Sequence, residues 1–342
     1  MKNTIKQHSR KILKISTVIV IVGLITTFIG AASMDFDLNI ILTNGDIENI
    51  EYKEVEKTYS PLEEKISVID LNVIARSVEI VPSIEDKIKV TFSMDHFTSE
   101  VKNGILDVTE IKSKTDSRKW YNVFNFNNEI ITGIKIEVPE TFIGDIDIVN
   151  SYGNVQIKDI SGIRNIVSNN NSGNINLSNI KLSGLLTLST KYGNIKILNS
   201  EVNASVKLEE GSGSIIADKF KCEEFEVKSQ YGDIRLSNID AKGLSMDSTS
   251  GEVKLNSLNI ENMTKIELIN GDLRVKDIIA PNIEFKTTSG DIDAVIKGKE
   301  SQYKIYSETK YGDNNLRNKN TGEKEIKVSA KHGDIDIKFT EE

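Results

Sequence analysis

The sequence predicts an all-β chain: a single-stranded parallel β-helix, or solenoid, of about ten 20-residue rungs preceded by one transmembrane helix. Three observations predict it. The first is a recurring phrase, a small or aromatic residue, then Gly, then Asn or Asp, then a branched apolar residue. It opens as Tyr152-Gly153-Asn154-Val155 and closes as His332-Gly333-Asp334-Ile335. Between them the glycine returns at Gly173, Gly193, Gly213, Gly232, Gly251, Gly271, Gly290 and Gly312, so the spacings are 20, 20, 20, 19, 19, 20, 19, 22 and 21 residues. The second is period-two apolar patterning on both sides of each glycine. The third is an uncharged run of eighteen residues, Ile15 to Ala32, behind a basic N-terminus.

Two and four residues after the glycines stand apolar pairs such as Val155 and Ile157, Ile195 and Ile197, Val253 and Leu255. Seven and five residues before them stand Ile146 and Ile148, Leu186 and Leu188, Phe225 and Val227, Ile283 and Phe285. Alternation of this kind marks strands, so each repeat is expected to carry two. The apolar offsets are odd before the glycine and even after it, so a bend must absorb one residue there. Gly supplies the unusual dihedral, and Asn or Asp tolerates left-handed backbone and bonds nearby peptide groups. One rung buries too few side chains to offset the entropy of ordering its backbone, so stability must come from stacking on its neighbours.

At the N-terminus, residues 1–14 hold Lys2, Lys6, Arg10, Lys11 and Lys14 and no acid. Residues 15–32 are just long enough to span a bilayer core of roughly 30 Å, and the basic flank would remain cytoplasmic. A cleaved signal peptide is the alternative, since Gly30-Ala31-Ala32 offers small residues to a peptidase; the length of the run favours an uncleaved anchor. The expected placement is therefore the cell membrane, single-pass, with the repeats extracellular.

Residues 33–64 are rich in acid and read as a stalk with one strand, although Asn44-Gly45-Asp46-Ile47 hints at a further rung. Residues 65–140 read as an N-terminal β cap in which Arg76-Ser77-Val78-Glu79-Ile80 is a degenerate rung without its glycine. Residues 141–342 are the solenoid. Within the cap, Trp120-Tyr121-Asn122-Val123-Phe124-Asn125-Phe126 is the densest aromatic cluster, suited to covering the open end of the core or, exposed, to gripping a ligand or membrane.

The net charge of −8 becomes −13 without the five basic residues before the apolar run, which makes nucleic acid an unlikely partner. The single Cys222 cannot form an internal disulfide and reads as a small core residue. The histidines, His8, His96 and His332, are scattered, and no Ser/His/Asp set, metal-ligand spacing or phosphate loop is present. No catalytic residue, cofactor or metal is therefore expected.

Two ladders remain. Asp233, Asp272, Asp291, Asp313 and Asp334 follow the glycine in later rungs, and Asn154, Asn174 and Asn194 do so in earlier ones. Calcium would relieve such stacked carboxylates, but the simpler expectation is that each Asp bonds its own turn. The position before the glycine runs Tyr152, Ser172, Tyr192, Ser212, Tyr231, Ser250, Asn270, Ser289, Tyr311, His332. A tyrosine stripe two rungs apart would stack on sugar rings. The alternation of large and small also suits rings packed over small neighbours, which is the favoured expectation. Tyr152, Tyr192, Tyr231, Tyr311 and Trp120 are the candidate ligand surface.

Ile69-Asp70-Leu71-Asn72-Val73, Val78-Glu79-Ile80, Ile136-Glu137-Val138-Pro139 and the repeated Ser/Tyr-Gly-Asn/Asp-Ile phrase carry a resemblance. From about Val55 onward the sequence resembles the bacterial putative-adhesin family of β-strand-repeat domains, which includes LiaG-like membrane-anchored proteins. The resemblance implies a β-helix-like ectodomain with a role at the cell envelope, and it brings no catalytic residues. The chain departs from the phrase at Ser214, at Glu252 and at Asn314, which takes the place of the apolar residue in the ninth repeat. The expected function is a non-enzymatic, adhesin-like binding or structural module whose partner is an envelope component or membrane protein. The alternatives are an accessory protein in envelope-stress sensing that acts through a membrane partner, and a glycan-active β-helix enzyme.

Overall fold

Each of the first seven repeats folds as three extended segments separated by two corners, as the second repeat illustrates. Asn165–Ser172 is its first side, Ile175–Ser178 its second and Lys181–Leu182 its third. The first corner is Gly173-Asn174. The second is Asn179, whose φ of 54° is left-handed. The same position, six residues after the glycine, is left-handed at Asp159, Asn199, Lys219, Asn238, Ser257 and Asp277. Asn and Asp predominate there because their short polar side chains tolerate that region best among residues with a Cβ.

Two strands per repeat are therefore corrected to three sides in the first seven repeats. The second corner changes parity again, so the inward position becomes the seventh after the glycine, occupied by Ile160, Ile180, Phe220, Ile239, Leu258 and Ile278, all buried. These side chains close a core otherwise filled by the predicted alternating pairs, including Ile146, Leu188, Ile197 and Phe285.

The computed structural model describes residues 54–93, 96–111 and 133–340, all within one compact unit, Tyr52–Glu342. The basic flank, the Ile15 to Ala32 segment, the acidic stretch up to residue 53 and the cluster around Trp120 lie outside the described residues. Among the described residues no helix is long and apolar enough to cross a membrane.

The cap begins earlier than residue 65. β1 (Glu54–Tyr59) pairs antiparallel with β4 (Ile88–Ser93). Between them β2 (Val68–Val73) and β3 (Val78–Pro82) form the degenerate rung read from the sequence, with Arg76 where the repeats have glycine. β5 (Phe97–Lys102) and β6 (Ile105–Glu110) make an antiparallel hairpin, and β7 (Ile134–Val138) lies between β3 and β4. Parallel stacking thus gives way to antiparallel pairing at this end, and the outermost strands β1 and β5 carry charged residues that discourage further pairing. Phe92 and Phe97, both buried with ring centroids 5.8 Å apart, plug the core between them.

β8 (Asp145–Tyr152) and β9 (Val155–Lys158) stack on β2 and β3, so the degenerate rung is continuous with the regular ones. The stack continues in parallel register through β10 (Asn165–Ser172), β11 (Ile175–Ser178), β12 (Lys181–Leu182), β13 (Leu186–Tyr192) and β14 (Ile195–Val202). Next comes β15 (Val206–Ser250), one run of extended backbone through more than two repeats, then β16 (Val253–Asn270), β17 (Leu273–Ile279), β18 (Asn282–Ser289) and β19 (Ile292–Lys297).

The last two repeats are exchanged in space. β20 (Tyr303–Tyr311) does not follow β18; β21 (Lys324–His332) lies between them, and β22 (Ile335–Thr340) pairs with β19. Repeats stacked in sequence order are therefore corrected at this end. The reason is visible at Asn314: an interior rung needs an apolar residue two places after its glycine. Ile335 supplies it in the tenth repeat and Asn314 fails to in the ninth. The ninth repeat becomes the lid instead, with Leu316 packed against the core and Tyr303 buried beside Phe339 at 5.8 Å. Asn315 covers the free edge of β22 by acting as a strand in miniature: its Oδ1 accepts from the Ile337 amide at 3.0 Å and its Nδ2 donates to the Ile337 carbonyl at 3.0 Å.

Candidate functional site

The corner between sides one and two carries three ladders. Its inner rail is the glycine itself. Gly173, Gly193, Gly251, Gly271, Gly290, Gly312 and Gly333 have φ between 121° and 155°, and a Cβ on Gly193 would overlap the Gly173 carbonyl oxygen. Gly153, Gly213 and Gly232 meet the same overlap, with the carbonyls of Arg76, Gly193 and Gly213. The repeat glycines are thus required by close approach along the whole rail, and by dihedral at most positions.

The second ladder is the Asn/Asp position. Asn154 Oδ1 accepts the Asn174 amide at 2.9 Å, and Asn174 Oδ1 accepts the Asn194 amide at 2.9 Å. Asp233 Oδ1 accepts the Glu252 amide at 3.0 Å, and Asp272 Oδ1 accepts the Asp291 amide at 3.0 Å. The expectation that each Asp bonds its own turn is corrected: the side chain bonds the next rung. Asn and Asp interchange because only Oδ1 is used. In two of the rungs the remaining carboxylate oxygen meets a basic residue two places on, Asp233 with Arg235 at 2.8 Å and Asp272 with Arg274 at 3.3 Å, whereas Asp291, Asp313 and Asp334 are followed there by Asp293, Asn315 and Asp336. Among the described residues no group of three or more His, Cys, Asp and Glu converges as a metal site.

A third ladder, three residues before the glycine, was missed in the sequence. Asn150, Asn170, Thr190, Glu210, Ser229 and Ser248 are buried there. Asn170 Nδ2 donates to the Gly153 carbonyl at 3.3 Å, Thr190 Oγ1 to that of Gly173 at 3.1 Å, and Thr309 Oγ1 to that of Gly333 at 2.9 Å. These three side chains satisfy carbonyls that the corner turns inward, whereas the buried Ser248 Oγ has no partner. The signal was a polar residue at an inward offset whose neighbours seven and five places before the glycine are apolar. Glu210 is the charged member: its Oε2 accepts from Ser229 Oγ at 2.8 Å while Oε1 has no partner. Burial pushes its carboxyl above the usual range, and the Ser229 bond opposes this.

The tyrosines stand on the outside of this corner. Ser172 is in register with Tyr152 on one side and Tyr192 on the other, and Ser212 with Tyr192. Tyr152, Tyr192 and Tyr231 are 60%, 54% and 65% exposed, so the expectation of rings packed over small neighbours is corrected in favour of rings standing in solvent. Lys191 Nζ lies 5.5 Å from the Tyr192 ring centroid. Tyr311, on the outermost rung, is stacked on His332 at 4.9 Å and 7°. Trp120 lies outside the described residues.

Beside the corner, side one changes character along the stack. In later rungs it is zwitterionic, with Lys207 and Glu209 at 2.8 Å and Lys265 and Glu267 at 2.9 Å. Lys265 draws the Glu267 carboxyl below its ordinary value, and Lys228 does the same for Glu226. A shallow groove of about 780 Å³ crosses this face, bordered by Lys191, Glu210, Lys228 and Glu267. Cys222 is buried, and burial pushes its thiol up to about 12, as suits a packing residue.

Three crystal structures illustrate what the chain is similar to. One is described as a putative adhesin from Parabacteroides distasonis, at 13% identity over 84% of this chain and 98% of that one, with a TM-score of 0.40. Another is a putative lipid binding protein from the same organism, at 18% identity over 85% and 98%, with a TM-score of 0.33. The third is a putative adhesin from Bacteroides fragilis, at 15% identity over 84% and 97%, with a TM-score of 0.31. No curated protein matches the chain. The family described as Toastrack DUF4097 matches twice, over residues 66–218 and 186–338. These overlapping matches take in the degenerate first rung and every glycine of the rail, and the chain belongs to that family, a putative-adhesin family of β-strand repeats.

Proposed function

We propose that this protein is a non-enzymatic binding module of the bacterial cell envelope, a single-stranded parallel β-helix held at the outer face of the membrane by residues 15–32. One observation carries the reading: both ends of the stack are closed, by Phe92, Phe97 and antiparallel strands at one end and by the Asn315 lid at the other. Closed ends oppose growth of the stack by strand addition. The long lateral corner, with its solvent-standing tyrosines, is left as the contact surface. An envelope component or a membrane protein is the partner class, and the acidic net charge disfavours nucleic acid.

Protease added to wall-stripped cells should remove the repeats and leave a small membrane-bound stub. Cleaved, full-length ectodomain in the medium would instead support a signal peptide. For binding, the detergent-solubilised full chain should be retained on isolated, membrane-free envelope material. A chain that passes through unretained would overturn the binding reading and favour a purely structural role.

A further inference from the structure

The second repeat differs from the rest in charge. From Asn165 to Ile180 no residue is charged. Asn169 and Asn171 are exposed on side one, and Asn176 stands part-exposed on side two. At the position where later rungs put Glu209, Lys228, Asp247 and Glu267, the second and third rungs put Asn169 and Ser189, and the first puts the exposed Val149. The tyrosines that border this zone stand on alternate rungs. With strands roughly 4.8 Å apart, Tyr152 and Tyr192 are about 9.6 Å apart along the stack, and Tyr231 follows at the same interval.

We propose that this corner binds an extended, uncharged β-1,4-linked glycan, with alternate sugar rings lying against Tyr152, Tyr192 and Tyr231. The proposal rests on the binding reading above and names the ligand for it. In a β-1,4-linked chain each ring is flipped relative to the last, so every second ring presents the same face, and the disaccharide repeat matches two rungs. The apolar C–H face of a sugar suits an exposed aromatic ring, and its equatorial hydroxyls suit the neighbouring amides and serines. α-1,4-linked chains coil and cannot keep this register. Lys191, whose ammonium lies 5.5 Å from the Tyr192 ring centroid, must leave that face for a sugar to dock there. Tyr311 takes no part, because its ring is already stacked on His332.

The test uses the full chain in mild detergent and soluble oligomers of β-1,4-linked N-acetylglucosamine and β-1,4-linked glucose, with α-1,4-linked glucose oligomers as control. Affinity should rise from disaccharide to pentasaccharide, the length that reaches from Tyr152 to Tyr231, and then level off. Tyr192→Ala should weaken pentasaccharide binding about 2- to 12-fold, and Tyr311→Ala should leave it unchanged. The decisive variant exchanges Tyr192→Ser with Ser212→Tyr, which keeps the composition and destroys the two-rung period; it should bind the pentasaccharide as weakly as Tyr192→Ala. Melting temperatures of all variants report that the fold is retained. Equal binding of α-linked oligomers, or an exchange variant that binds as the parent does, overturns the proposal. No glycan binding by a chain still retained on envelope material overturns the glycan and leaves the binding module standing. Loss of both retention and glycan binding overturns both.

Discussion

The amide of Asp334 donates to Oδ1 of Asp291 at 2.8 Å, although 43 positions separate the two residues. Other links of the same ladder span 19 to 21 positions. This one bond records the insertion of the tenth repeat beneath the ninth, because Asp313 donates in turn to Asp334 at 2.8 Å. With the tenth repeat tucked in under the ninth, the ninth forms the lid of the stack.

Gly333 is consequently an interior residue despite its place near the C-terminus. Gly333→Val should destabilise the fold about as much as Gly193→Val, on the order of 1 to 3 kcal/mol from backbone strain alone, with overlap onto the Gly290 carbonyl added. Gly312→Val, on the outermost rung, should cost less, since only the lid need loosen. Thermal melts of the three variants decide the order, and a Gly333 variant milder than the Gly312 one contradicts the inserted arrangement.

The Asn/Asp ladder uses only Oδ1, so Asp291→Asn should be nearly neutral. Asp291→Ala should cost about 0.5 to 1.5 kcal/mol through the lost hydrogen bond to the next rung. Millimolar calcium should leave the melting temperature of the parent unchanged, because one oxygen of each neighbouring carboxylate already accepts the amide of the next rung. A calcium-dependent rise that disappears in the Asn variant would establish a metal site on the ladder.

Glu210 has a folded-state pKa raised above its usual value by burial. The folded protein therefore binds this proton more tightly than the unfolded chain does. The group's contribution is most favourable below the ordinary carboxylate pKa and is lost as pH rises through the raised one. Glu210→Gln should accordingly be more stable than the parent at pH 8 and lose that advantage at pH 4. Chemical denaturation across this range measures it, and a pH-independent difference would refute the assignment.

Asn315 protects the edge of β22, and its removal should be felt between molecules rather than within one. Asn315→Ala exposes the backbone groups of Ile337 on an edge strand, where another chain can pair. Sedimentation or light scattering should show concentration-dependent association that the parent lacks. A variant that stays monomeric would mean that other residues of the lid suffice.

The sequence by itself determined the repeat, its period, the glycine rail and most of the core, because each follows from local chemistry: alternation selects strands, and the corner admits only glycine. It also held Arg76-Ser77-Val78 as a rung without a glycine, and it held the second corner in the apolar residues seven places after six of the ten glycines. What only the tertiary structure decided was order and partnership. Nothing local to Gly312 or Gly333 tells which lies inside the stack; that depends on Asn314 failing, and Ile335 succeeding, to fill a core formed by residues far away in the chain. The tyrosines likewise read the same whether packed or exposed, since their surroundings are set by neighbouring rungs. The Asp side chains chose the next rung over their own turn because that amide comes within hydrogen-bond reach only once the stack has formed.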